Sequence, residues 1–172
     1  MDFISRTNCD LHKEYLRTLK LKMSIFEKSY LGMTGKSCRE ILKLPIKRSE
    51  REEAAALKAD ILAHELYFSS FSSANIASPL LRDVYGSEAA FVYELSSAAM
   101  KSEGFLFICY DKTGRIGCQS CSKPIEMFSS GLVPILALDL CEHAYFCDYF
   151  FDKERYVKAA VAHLDFSKIK KS

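Results

Sequence analysis

The stretch Val133–Tyr149, "VPILALDLCEHAYFCDY", decides how the rest of the chain is read. Its first six residues are apolar and bounded by turn-forming residues, the pattern of a buried strand. Asp139 ends that run, and His143 follows one helical turn later with Glu142 beside it. A carboxylate at the end of a buried strand is costly unless it is paired or bound to a cation. The same carboxylate serves equally well as the N-cap of the helix that follows, and that role needs no metal. Spacing alone leaves both readings open, so the deciding residues have to come from elsewhere in the chain.

Outward from this stretch the chain divides into two textures. "GFLFICYD" (104–111) and "RIGCQSC" (115–121), joined through the turn "DKTG", read as two strands, and "LVPILALD" (132–139) as a third. Helices are expected over 142–151 and, capped by Asp152, over "KERYVKAAVAHLDF". Further upstream, residues 79–85 and 87–101 read as helices, the second capped by Ser87, and "SSANIASP" as a loop. Two long helices come first. One spans about 9–30, with Leu11, Tyr15, Leu19, Met23 and Phe26 at three- and four-residue steps. The other runs from about Glu52 to Phe71 through "EEAAALKADILAHELYF". The expected fold class is therefore α+β. An antiparallel α-hairpin domain (1–77) precedes a domain (78–172) in which a small three-stranded antiparallel sheet is flanked by helices.

Composition removes several classes of function. The 172 residues carry 24 basic and 22 acidic side chains, a net charge of +2, which gives no global reason for a nucleic acid or anionic membrane partner. Basic residues lean towards the first 51 positions and the tail "SKIKKS". The longest apolar runs are too short to cross a bilayer. The start, "MDFISRTNCD", has neither a charged n-region before an apolar run nor the acid-poor character of a transit peptide. Seven irregularly spaced cysteines fit reduced thiols. These features predict a cytoplasmic protein, with the mitochondrion as the alternative.

Few residues have the types and spacings of chemistry. His64 lies mid-helix among Leu57, Ile61, Phe68 and Phe71, which suits a satisfied core histidine or, in its neutral form, a metal ligand. Cys118 and Cys121 form one CxxC pair, and the second pair that a structural zinc site needs is missing. His12 and His163 stand alone, and helix-face roles suffice for them.

Several separated segments together resemble the iron/manganese superoxide dismutase family. "VPILALDLCEHAYFCDY" is similar to its Asp-x-Trp-Glu-His-Ala-Tyr motif after an apolar strand, and "SEGFLFICYD" to its Gly-Ser-Gly-Trp-x-Trp-Leu strand. "LHKEYLRTLK" is similar to its His-His-x-x-Tyr-Val helix segment, and "ALKADILAHELYF" to its second helix. The resemblance implies that His64, Asp139 and His143 bind iron or manganese and that Tyr15 is an outer-shell tyrosine near the substrate opening. It also implies that Glu142 reaches across a homodimer interface.

The departures from the family are specific. Its first-helix histidine ligand falls on Thr7, which leaves three of four ligands and a vacancy for water, Thr7 or Asn8 to fill. Leu11 and Phe146 replace a polar pair, Cys141 replaces a tryptophan, and the family's glutamine falls near Asp60 or Ser122. On these grounds the sequence points to a dismutase-like protein that is catalytically impaired or inactive. It would then serve as a binding or structural component, with a ribonucleoprotein such as the ribosome, or a protein, as partner. The alternative is an active divergent dismutase that converts superoxide to oxygen and hydrogen peroxide.

Overall fold

The computed structural model describes residues 3–72 and 78–170. Among them eight α-helices and three strands follow in the order α1 (Arg6–Ser29), α2 (Cys38–Ile41), α3 (Arg48–Ser69), α4 (Pro79–Tyr85), α5 (Glu88–Lys101), β1 (Phe105–Tyr110), β2 (Ile116–Cys121), α6 (Pro124–Ser130), β3 (Val133–Asp139), α7 (Glu142–Tyr149) and α8 (Lys153–Ala162). The α+β class and the three-stranded sheet agree with the sequence reading. Helices α2 and α6 are additions to it; Ser37 closes a capping box for α2, and Pro124 opens α6. Residues 73–77, most of the expected "SSANIASP" loop and the end of the expected first domain, lie outside the described residues.

Helices α1 and α3 run antiparallel. His12 meets His64 at one end of the pair, while Phe26 and Glu53 line one groove at the other. Leu16, Leu19 and Met23 pack with Ala54, Ala55, Leu57 and Ile61 between them. The buried stripe of α1 is Asn8, His12, Leu16, Leu19 and Met23. This corrects the face expected from Leu11, Tyr15 and Phe26: Leu11 is 57% exposed and Tyr15 44%. Leu19 and Met23 belong to both possible stripes, so apolarity alone chose the wrong side. The buried side carries two polar residues in its first two turns.

The sheet has the order β2-β1-β3, antiparallel throughout. Alternate residues of β1 and β3 enter different cores, as the two-residue period of a strand requires. Phe105, Phe107 and Ala137 pack on Ala63 and Tyr67 of α3 and on Met127 of α6. Leu106, Ile108, Leu136 and Leu138 pack with residues of α5 and α8, including Leu95, Tyr156 and Ala160. The sheet is thus covered on both faces, and its central strand β1 is almost wholly apolar. The C-terminal end of α3 is stitched to the sheet by Ser70, whose hydroxyl accepts the Ala137 N–H at 2.8 Å, and to the chain after α8 through a bridge between Phe71 and Leu164. These ties fix α3 over the end of β3, where Asp139 lies.

Candidate metal centre

Four side chains from four elements converge at that point. His12 comes from α1, His64 from α3, Asp139 from the end of β3 and His143 from the first turn of α7. One potential ligand atom from each lies within 4.8 Å of every other. Asp139 Oδ2 is 3.0 Å from His143 Nε2, 3.2 Å from His12 Nε2 and 3.5 Å from His64 Nε2, and the last of these is 3.5 Å from His143 Nε2.

The two uses of Asp139 left open by the sequence turn out to be divided between its oxygens. Oδ1 accepts the Cys141 N–H at 2.9 Å, which shapes the entry to α7, whose N-cap is Cys141 itself. Oδ2 faces the three imidazoles. The main chain of Asp139 is also held, since its carbonyl accepts the hydroxyl of the buried Tyr156 at 2.7 Å and the next residue, Leu140, donates to Gly104 O at 2.8 Å. Burial by itself would raise the Asp139 pKa. The contacts with His12 and His143 outweigh burial, and the carboxyl ends well below the usual range.

The histidines differ in setting. His64 Nδ1 lies 2.7 Å from Asp60 O, and a carbonyl only accepts, so Nδ1 carries the proton and neutral His64 presents a lone pair at Nε2. Burial lowers the His64 pKa, which favours that neutral form. For His143 burial also opposes the charge, yet the bond to Asp139 prevails and the pKa rises. His12 has no hydrogen-bond partner at either ring nitrogen, although it is wholly buried. Its Nε2 is at hydrogen-bond distance from Asp139 but not in hydrogen-bond alignment. The side chains of His12 and Asp139 are 0% exposed and that of His64 is 3%, against 42% for His143, so the group opens to solvent on the α7 side. Tyr15 stands at this opening, its ring 5.2 Å from those of both His64 and His143.

The donors fit a first-row transition metal. Donors about 2.1 Å from a cation are about 3.0–3.6 Å apart at angles of 90–120°, which matches the three distances to Asp139 Oδ2 and the one between His64 and His143. Two lone-pair atoms, His64 Nε2 and Asp139 Oδ2, face each other with a further unpartnered buried nitrogen beside them. A cation satisfies all three. Three imidazoles and one carboxylate suit iron or manganese. The residues that hold the far sides of the ligands, Asp60 O and the Cys141 N–H, are the outer contacts that orient such a set.

The structure brings together three residues named from the sequence, His64, Asp139 and His143, and adds His12, for which the sequence suggests only a helix-face role. Thr7, the expected successor to a lost ligand, is exposed; Asn8 is buried but donates to Ala144 O and Asp148 Oδ2, both at 3.0 Å. The expected vacancy therefore faces His12, one turn and one residue further along α1. Its signal was available: His12 falls at the 8, 12, 16, 19, 23 spacing of the buried stripe. Glu142 is exposed at the start of α7 and forms no ion pair among the described residues. Cys118 and Cys121 lie on the edge strand β2, outside the four-residue group, and burial pushes the Cys121 thiol up to about 11. His163 caps α8 with Nδ1 2.8 Å from Ala159 O.

An α-hairpin and a small covered sheet that deliver three imidazoles and one carboxylate to a single point define a metalloprotein of nitrogen and oxygen donors. The family described as iron/manganese superoxide dismutases, C-terminal domain, matches residues 73–172, and the chain belongs to that family. It is similar to the "Superoxide dismutase [Fe]" of Aquifex pyrophilus, with 28% identity over 107 residues that cover 58% of this chain. The matched part is 50% of that protein's length, so the chain spans about half of this curated relative. Asp139 and His143 fall inside the family match. His12 and His64 precede it, and it is the fold that joins them to the other two.

No described helix is long and apolar enough to cross a membrane.

Proposed function

We propose that the chain holds iron or manganese between His12, His64, Asp139 and His143 and converts superoxide to oxygen and hydrogen peroxide. The observation that carries this reading is the convergence of three Nε2 atoms on Asp139 Oδ2 within 3.5 Å. The bound metal would supply the one-electron couple. The chain supplies the rest. Asp60 O fixes the His64 tautomer, and the Cys141 N–H turns Asp139 so that its second oxygen faces inward. Two superoxide ions and two protons give one oxygen and one hydrogen peroxide, so protons must reach the open side. Tyr15 stands there with its phenolic proton in place at neutral pH; partial burial, then the charges of Asp60 and Asp139, raise its pKa and hold that proton more firmly.

The same reading makes the protein a homodimer whose subunits meet near Glu142, in the cytoplasm or the mitochondrion, with residues 1–77 and 78–172 as its two domains. Exposed Leu11, Phe146, Phe150 and Phe151 support an apolar contact on the α7 side. The test is metal content and superoxide removal by the purified chain loaded with iron or manganese, beside His143→Ala. Stoichiometric metal with rapid removal that the substitution abolishes supports the assignment, and activity unchanged by the substitution defeats it.

A second reading keeps the metal group but not the turnover: an impaired or inactive member that acts as a binding component, with a ribonucleoprotein or protein partner. Two observations favour it. The carboxylate of Asp60 sits close enough to Asp139 for burial and Asp139 together to raise its pKa to about 6, and its charge repels an anionic substrate. The exposed Leu11, Phe146, Phe150 and Phe151 are of the kind a partner covers. Bound metal without superoxide removal selects this reading.

A further inference from the structure

The groove between α1 and α3 leads to the open side of the metal group. Lys22 and Glu53 line its far part, Leu19 and Leu57 its floor, and Tyr15 and Asp60 the end nearest the histidines. Asp60 is one turn before His64, on which its carbonyl acts, but its carboxylate makes no hydrogen bond or ion pair among the described residues. That carboxylate is partly buried and lines the groove with Tyr15, whose ring is 5.2 Å from those of His64 and His143. A partly buried carboxylate without a hydrogen-bond or ion-pair partner is costly, and a passing cation removes the cost. An independent observation points the same way: His12, fully buried, aims an unpartnered nitrogen at Asp139 from the closed side. The closed side offers a cation its final donors, and the open side offers it a hard oxygen on the way in.

We infer that Asp60 is the capture carboxylate of the centre, the group that takes a hydrated divalent cation from the α1–α3 groove and passes it to His12, His64, Asp139 and His143. The inference rests on the metal-holding reading above and adds an entry route and the residue that serves it. A carboxylate suits the task because its oxygen is a ligand that manganese(II) accepts in place of water, and a negative charge at a cleft mouth speeds the cation's arrival. Lys22 and Glu53 leave the far part of the groove without net charge, so the attraction is concentrated at Asp60.

The experiment mixes the metal-free full chain with manganese(II) alone and follows the loss of the free-ion paramagnetic signal with time; bound metal is then counted at the end point. Asp60→Asn is compared with wild type and with Asp60→Glu, and circular dichroism checks that each is folded. Expected are one metal per chain in all three, uptake about tenfold slower for Asp60→Asn, and a rate restored by Asp60→Glu. The wild-type rate should also fall more steeply with added salt than that of the Asn variant. Equal rates for wild type and Asp60→Asn, with one metal bound in each, overturn the capture role and leave the metal centre standing. A lower end point for Asp60→Asn makes Asp60 a resident ligand and likewise overturns it. Wild-type chain that binds no manganese at any time defeats the metal-holding reading itself.

Discussion

His12 and Asp139, from opposite ends of the chain, meet with Nε2 3.2 Å from Oδ2, and solvent reaches neither side chain. Two buried polar groups at that distance without hydrogen-bond alignment are expensive in the metal-free protein. They become complementary when both face a cation.

Replacing His12 by Ala should therefore reduce metal affinity by at least the roughly 10–100-fold typical of outer-shell losses. Thr7→Ala, on the exposed side of the same helix, should leave it unchanged. Metal counted per chain after dialysis against a weak chelator separates the two. Loss of metal in Thr7→Ala with retention in His12→Ala would restore the register that the sequence suggested.

How far the sequence could be read depended on the kind of constraint. The sheet was legible because β1 is apolar on both faces and turn residues bound it. Asp139 and His143 were legible because a strand end and one helical turn fix their spacing locally. His12 was not, because α1 offers two overlapping stripes that share Leu19 and Met23, and the choice between them is made by α3 and by the far end of β3. The exposure of Leu11 has the same origin. Helix α2 escaped because its four residues make a single turn defined by the Ser37 capping box, and α6 because it lies between two strands with Pro124 and Gly131 at its ends and no side-chain cap.

Tyr156 holds the main chain of Asp139 through a 2.7 Å hydrogen bond from its hydroxyl, in a site without solvent. Tyr156→Phe keeps the ring that stacks on Tyr145 at 4.9 Å but leaves the Asp139 carbonyl without that donor. The cost should be about 1–3 kcal/mol, measured as a fall in the urea midpoint of the metal-free protein at unchanged slope.

Asp148 ties the start of α1 to α7 by accepting from the Ser5 N–H at 2.8 Å and from Asn8 Nδ2 at 3.0 Å. Burial opposes its charge, but the bonds from Ser5 and Asn8 together outweigh it, and its pKa is lowered. A depressed carboxyl pKa stabilises the fold above the unfolded value, about 3.9, and the contribution fades as pH falls through the folded value. Asp148→Asn should thus cost a few tenths of a kcal/mol at pH 7, since the group is largely solvated. The difference from wild type should shrink as unfolding is repeated at successively lower pH below 4. A difference that grows on acidification would contradict the sign.

Phe150 follows α7 with φ 51° and ψ −121°, the one described non-glycine residue with positive φ, and its side chain is 65% exposed. Such a backbone costs a bulky residue about 1–3 kcal/mol, whereas glycine adopts it freely at an unfolded-state entropy cost of about 0.5–1 kcal/mol. Phe150→Gly should therefore stabilise the monomer by on the order of 1 kcal/mol, seen as a higher urea midpoint. If the apolar surface around Phe146 joins two subunits, the same change should weaken the dimer in sedimentation.

Gly104 sets the height of the strand end that carries Asp139. Its φ is 76°, its carbonyl accepts the Leu140 N–H at 2.8 Å, and a Cβ placed on it would lie 2.6 Å from Cys121 O and 2.8 Å from Ser122 O. Both obstacles are backbone atoms of the neighbouring strand end, so no side-chain rotation relieves them. Gly104→Ala must then push β1 and the end of β2 apart, at a cost of about 2–4 kcal/mol from strain and a disturbed ladder. Because β1 pairs Phe105 with Asp139, the displacement should pass to the metal group as well. Expected together are a lower urea midpoint and weaker manganese binding at a temperature where the variant is still folded by circular dichroism. A folded variant with both properties unchanged would show that the Gly104 turn has no part in placing Asp139.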